Sequence, residues 1–150
     1  MRDGPEPERR LGDLLQDLVN RVSHRGGKTL AMMNDASVTL QQVLLLNRLR
    51  EQDGSTSSEL AETLNMSLPS ISQMIDRLHQ LKLVTRAEMS EDRRKKRIAL
   101  TRAGRTLLER LHEARTAEYE AGLAKLLAEP QRAELRLVLD RILQELATPR

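Results

Sequence analysis

Apolar residues recur with a helical period along most of the chain. Leu11, Leu14, Leu15, Leu18, Val19 and Val22 stand at i, i+3, i+4, i+7, i+8 and i+11, which is one face of an amphipathic helix. Gly26-Gly27 weakens or kinks it, and residues 28–36 carry no decisive period. Thr39 and Gln42 have capping-box spacing, and Val43, Leu44, Leu46 and Leu49 follow, so the next helix reads as largely buried. Asp53-Gly54-Ser55 ends it, and a second capping box, Thr56 with Glu59, opens a short helix with Leu60, Ala61 and Leu64. Asn65-Met66 makes a tight turn. Ser67 caps a third helix, in which Pro69 falls in the first turn, where its missing N–H costs nothing.

In that third helix Leu68, Ile71, Ile75 and Leu78 form the inward stripe. Ser70, Ser72, Gln73, Asp76, Arg77 and Gln80 face the other way. Ser70, Gln73 and Arg77, at i, i+3 and i+7, project side by side. Two capped helices joined by a turn of about three residues, the second with hydrogen-bonding side chains near its start, follow helix-turn-helix grammar. Val84–Glu88 and Lys96–Leu100 read as short strands around a charged turn, 89–95, which makes a β-hairpin wing. Thr101 caps a long helix with Leu107, Leu108, Leu111 and Ala114. Pro130 sits at the start of the last helix, where Leu135, Val138, Leu139, Ile142 and Leu146 keep an apolar stripe. The first helix and the last two each carry an apolar face, more than one winged domain buries. Leu11, Leu14, Leu15, Leu18, Leu135, Val138, Leu139, Ile142 and Leu146 therefore read as a dimer interface. The expected fold is mainly α: a winged helix-turn-helix domain over 37–101 with a small β-hairpin wing, and a helical dimerisation region built from 1–36 and 102–150.

Charge narrows the choice of partner. The net charge is +3, but eight cations against three acids give residues 86–105 a charge of +5 and leave −2 for the rest. A local basic patch on a balanced chain points to a polyanion at that patch. Arginines at a hairpin tip suit the narrow, electronegative minor groove of duplex DNA. Ser67, Ser70, Ser72, Gln73, Arg77, Arg93, Arg94, Lys95 and Lys96 are the candidate DNA contacts. Asp92 is an odd choice in such a loop unless it orients a neighbouring cation.

With one Tyr and no Phe or Trp, the chain lacks the aromatic platforms that grip single-stranded nucleic acid or RNA, which argues against those partners; double-stranded DNA is the expected one. There is no Cys, which excludes disulfides and thiolate metal sites. No apolar run approaches the ~20 residues of a membrane span, and the first ten residues have no apolar signal core. The expected location is cytoplasmic, with no membrane partner. His24, His79 and His112 share no ligand spacing, so neither a metal nor any other cofactor is expected. Gly26-Gly27-Lys28-Thr29 fails the phosphate-loop pattern, because Val22 stands where the first Gly belongs. No Ser-His-carboxylate set or other catalytic constellation appears, so the chain does not read as an enzyme.

The order Leu83-Val84-Thr85-Arg86, then Asp92-Arg93-Arg94, then Leu100-Thr101-Arg102-Ala103-Gly104 resembles the L-V-x-R, D-x-R and L-T-x-x-G pattern of the MarR family of bacterial transcriptional regulators. The resemblance covers roughly 11–146. It implies a homodimeric repressor that places a recognition helix, about 67–81, in the major groove and a wing in the adjoining minor groove of a pseudo-palindromic operator. It further implies that Asp92 positions the wing arginines and that Arg94 enters the minor groove. Members of the family often respond to small aromatic or anionic effectors. Here Val22, His24, Met32, Met33, Leu46, Arg86 and Leu111 are the candidates for such a pocket. The residue before Leu83 is usually Gly in the family and is Lys82 here. The competing reading is a winged-helix protein–protein adaptor without DNA binding, and the cations of 93–97 speak against it.

Overall fold

The computed structural model describes residues 10–23, 27–52, 54–88 and 96–147. Among the described residues, seven helices and one hairpin follow in the order α1 (Leu11–Val22), α2 (Lys28–Asp35), α3 (Leu40–Glu51), α4 (Ser57–Thr63), α5 (Leu68–Gln80), β1 (Val84–Glu88), β2 (Lys96–Leu100), α6 (Arg102–Leu126) and α7 (Glu129–Ala147). The protein is mainly α with a winged-helix fold, as its pattern implies. It divides into two units: one holds residues 1–28 and 115–150, the other 29–114.

The start signals of the 29–114 unit act as local chemistry requires. Thr39 accepts from the Gln42 backbone N–H while the Gln42 side chain accepts from the Thr39 N–H, and Thr56 with Glu59 repeats the arrangement. Ser67 accepts from the Ser70 N–H at the head of α5. The stop signals form a second series. Ser37, Asn65 and Lys82 all have positive φ, 55°, 51° and 58°. In each case this residue donates its N–H three residues back, to Asn34, Glu62 and His79, and the next donates five back, to Met33, Ala61 and Leu78. These are Schellman closures. The residue after each, Val38, Met66 or Leu83, turns into or against the core. Lys82 therefore keeps the left-handed turn that Gly would take without strain.

β1 and β2 pair antiparallel, with Val84 opposite Leu100, Arg86 opposite Ile98 and Glu88 opposite Lys96. Ser55 adds a one-residue bridge on the far side of β2, where Ile98 donates its N–H to the Ser55 carbonyl at 2.8 Å. The core of this unit gathers Leu45, Leu46 and Leu49 of α3, Leu60 of α4, Ile71, Ile75 and Leu78 of α5, Val84 and Ile98 of the hairpin, and Leu108 and Leu111 of α6.

Two expected core positions lie elsewhere. Leu44 is 52% exposed, because α3 buries Gln42, Val43, Leu45, Leu46 and Leu49 and leaves Leu40 and Leu44 together on its outer side. Leu68 is 47% exposed: it is the first residue of α5, short of where the helix meets the core at Ile71.

At the foot of the hairpin three bonds join β2, α6 and the Lys82 turn. Thr101 donates its N–H to the Leu83 carbonyl and its hydroxyl to the Lys82 carbonyl, and its Oγ1 accepts from the Gly104 N–H. Gly104 is buried so tightly that a Cβ there would lie 2.3 Å from the Leu83 carbonyl oxygen. This packing is the physical content of the L-T-x-x-G signature.

The other unit holds α1, the second part of α6 and α7. Gly122 lets α6 run against the end of α1, since a Cβ there would lie 2.4 Å from the Val22 carbonyl oxygen. Leu11, Leu14, Leu15, Val138, Leu139, Ile142 and Leu146 are exposed, whereas Leu18 and Leu135 are half-buried. Among the described residues, no helix is long and apolar enough to cross a membrane.

Candidate nucleic-acid interface

The helix-turn-helix forms because α4 and α5 each bury one stripe and begin with a side-chain cap. Leu60 and Ala61 face the core from α4, and Ile71, Ile75 and Leu78 from α5. That burial fixes the rotation of α5 about its axis and turns its polar side outward. At its head the Ser67 and Ser70 hydroxyls lie 2.8 Å apart and bond to each other. Further along, Gln73, Asp76, Arg77 and Gln80 are exposed.

The outer side of α5 is a ridge between two hollows. On one side Gln73, Arg77 and Gln80 line a cleft of about 480 Å³ shared with Thr39, Gln41 and Gln42. On the other, Ser72 lines a smaller cavity of about 200 Å³ with Ser57, Arg86, Lys96 and Ile98. Asp76 borders both. The fold thus brings Gln73 and Arg77 together, sets Ser72 near Lys96 across the smaller cavity, and keeps Ser67 and Ser70 at the N-terminus of α5. Arg93, Arg94, Lys95 and Asp92 fall outside the described residues.

The smaller cavity holds an interaction that sequence spacing does not show. The Arg86 guanidinium donates to the Asp76 carboxylate and forms an ion pair between β1 and α5. Side chains alternate along a strand, and directly opposed residues share a face of the hairpin. Val84 with Leu100, Arg86 with Ile98, and Glu88 with Lys96 therefore define one face, apolar at its foot and charged toward the tip. Arg86 occupies the level at which the core gives way to solvent. The only hint in the sequence is the cation two positions after Val84.

The other expected positions lie as follows. Met33, Leu46 and Leu111 are buried members of the core, and Met32 packs against it. Val22 is buried in the other unit, and His24 is outside the described residues. Of the effector candidates, Arg86 is the one that borders this cavity.

Comparison with known proteins agrees with this geometry. The MarR family model matches residues 36–95. The HTH-type transcriptional regulator FarR of Neisseria gonorrhoeae is 30% identical over 116 residues, 77% of this chain and 76% of that protein. Among solved structures, the S. aureus MepR–DNA complex superposes with a TM-score of 0.63 at 25% identity and covers 91% of this chain and 97% of that one. Wild-type E. coli MarR, at 24% identity, shares the fold with a TM-score of 0.66 over 91% of this chain and 99% of that one. With its capped helix pair, hairpin and Thr101–Gly104 junction, this chain belongs to the MarR family of transcriptional regulators.

Proposed function

We propose that the protein is a homodimeric, sequence-specific repressor that binds a pseudo-palindromic operator in double-stranded DNA and is released by a small effector. The observation that carries this reading is the outer side of α5. Gln73 and Arg77 are held outward on a helix whose rotation is fixed by Ile71, Ile75 and Leu78. An α-helix fits the major groove, and Gln and Arg pair with base edges there. In this reading Lys96 and Arg97, both exposed on β2, start a basic wing that continues through Arg93, Arg94 and Lys95 into the minor groove. The Ser67 end of α5 offers backbone N–H groups to phosphate.

Dimerisation is supported by the apolar side chains of α1 and α7. Leu11, Leu15, Leu143 and Leu146 are each more than half exposed, and a soluble monomer rarely carries so many on neighbouring turns. Two copies would set two reading helices at successive turns of the duplex, about 34–36 Å apart. A small anionic effector would find Arg86 and Lys96 at the 200 Å³ cavity between α5 and the hairpin, where it would compete with the Asp76 carboxylate for Arg86. Its binding there would favour a hairpin placement that does not suit the operator.

The test is a salt titration of binding to a duplex selected from a random-sequence pool. Each phosphate neutralised contributes a log–log slope of about −0.9, so five or more contacts give a slope steeper than about −4. A slope near zero, or no enriched sequence, would refute DNA binding and leave the adaptor reading.

A further inference from the structure

We infer that Asp76 is a positioning residue: through Arg86 it locks the hairpin to the outer side of α5, so that reading helix and wing meet DNA as one rigid unit. The inference rests on the proposed DNA-binding function and adds to it a device that sets the angle between the two contact elements.

Several other contacts hold the hairpin. Its foot is fixed by the Thr101 bonds to Lys82 and Leu83, and one edge by the Ile98–Ser55 bridge. Val84, Ile98 and Leu100 anchor the inner face in the core. Val84 and Leu100 lie at the foot, and Ile98, directly opposite Arg86, is the last apolar anchor toward the tip. Toward the tip the same face carries Glu88 and Lys96, both exposed, and no apolar anchor. The Asp76–Arg86 pair is placed at the level where apolar anchoring stops, on the β1 side, and it is made with α5 itself.

Charge supplies the second strand of the argument. Asp76 is exposed among Gln73, Arg77 and Gln80. A carboxylate on a surface that faces phosphates opposes binding by simple Coulomb repulsion. Considered as a charge alone, its removal should tighten DNA binding. Considered as the anchor of Arg86, its removal should loosen the hairpin and weaken binding. The two effects have opposite signs, so one substitution separates them. One guanidinium nitrogen of Arg86 donates to one Asp76 carboxylate oxygen, a charge-assisted hydrogen bond that ties β1 to α5. Arg86 has about 28% of its side chain exposed and Asp76 about 60%, so the pair is only partly shielded from solvent.

The experiment compares the unaltered protein with Asp76→Asn, Asp76→Glu, Arg86→Gln and the Asp76→Asn/Arg86→Gln double variant, on the duplex recovered by pool selection. Operator affinity of Asp76→Asn is expected to fall at least fivefold, and the log–log salt slope to become shallower by about one contact, ~0.9. Asp76→Glu should recover most of the affinity, and the double variant should bind no more weakly than the worse single variant. Hydrogen exchange at the β1 and β2 amides should speed up in Asp76→Asn and stay unchanged in α4. Tighter binding by Asp76→Asn, additive losses in the double variant, or unchanged hairpin exchange would each overturn the inference. Failure of the unaltered protein to bind any duplex would instead refute the DNA-binding proposal, so the two failures are distinct.

Discussion

Replacing Lys82 by Gly should stabilise the protein, although it deletes a side chain. Lys82 closes α5 with φ 58°, and its N–H and that of Leu83 are both committed to carbonyls of α5. Its own carbonyl accepts from the Thr101 hydroxyl at 2.7 Å. The turn is therefore held from three sides and cannot relax to negative φ without breaking these bonds. Holding an L-residue there costs about 1–2 kcal/mol. Glycine removes that strain but gives the unfolded chain more freedom, which returns about 0.4–1 kcal/mol. The net gain is about 0.5–1 kcal/mol, or a rise of roughly 1–4 °C in Tm for a chain of this size. Urea denaturation at fixed protein concentration gives the same quantity as a shifted midpoint with unchanged slope. The control is Arg110→Gly, at an exposed site in the interior of α6, which should lose about 1 kcal/mol. If both substitutions destabilise by similar amounts, the left-handed turn stores no strain and the reasoning is wrong.

Three further outcomes are expected. Gly104→Ala puts a methyl against the Leu83 carbonyl and should cost about 1–3 kcal/mol in chemical denaturation, because the obstacle is backbone and cannot swing aside. If Arg94 enters the minor groove as proposed, Arg94→Ala should weaken operator binding at least about tenfold, ~1.4 kcal/mol, while sedimentation still reports the proposed dimer. Unchanged affinity would remove the role proposed for that arginine. Leu139→Asp or Ile142→Asp should dissociate the proposed dimer in sedimentation velocity runs, since each would bury an unpaired carboxylate at the proposed interface. A folded dimer in either variant would move the interface away from α7.

Much of this chain's local chemistry concerns how helices stop. Ser37, Asn65 and Lys82 end α2, α4 and α5 with the same pair of bonds. Each closure aims the following apolar residue at the core. Two of them bracket α5, so its start and its finish are set by short-range geometry before any long-range packing is counted.

Local chemistry explains why so much was legible in advance. Capping boxes at Thr39 and Thr56, the Ser67 cap, the Pro69 start and the hairpin strands depend on groups at most four residues apart, or on a period visible in one segment. The family signature was legible for a related reason: Thr101 and Gly104 occupy fixed places along the chain because their backbone bonds leave no choice. Tertiary structure decided what depends on rotation and distance between segments. It turned Leu44 outward, since a helix has only one side for a core to cover, and left Leu68 exposed at the start of α5, short of the core. It brought Ser55 beside Ile98 as a further edge of the sheet. It required Gly122 to be small because another helix end lies against it. Above all, it set Arg86 against Asp76, two charges ten residues apart on different elements, whose pairing follows from the pitch of α5 and the pleat of β1 together. No period in either segment alone contains that information.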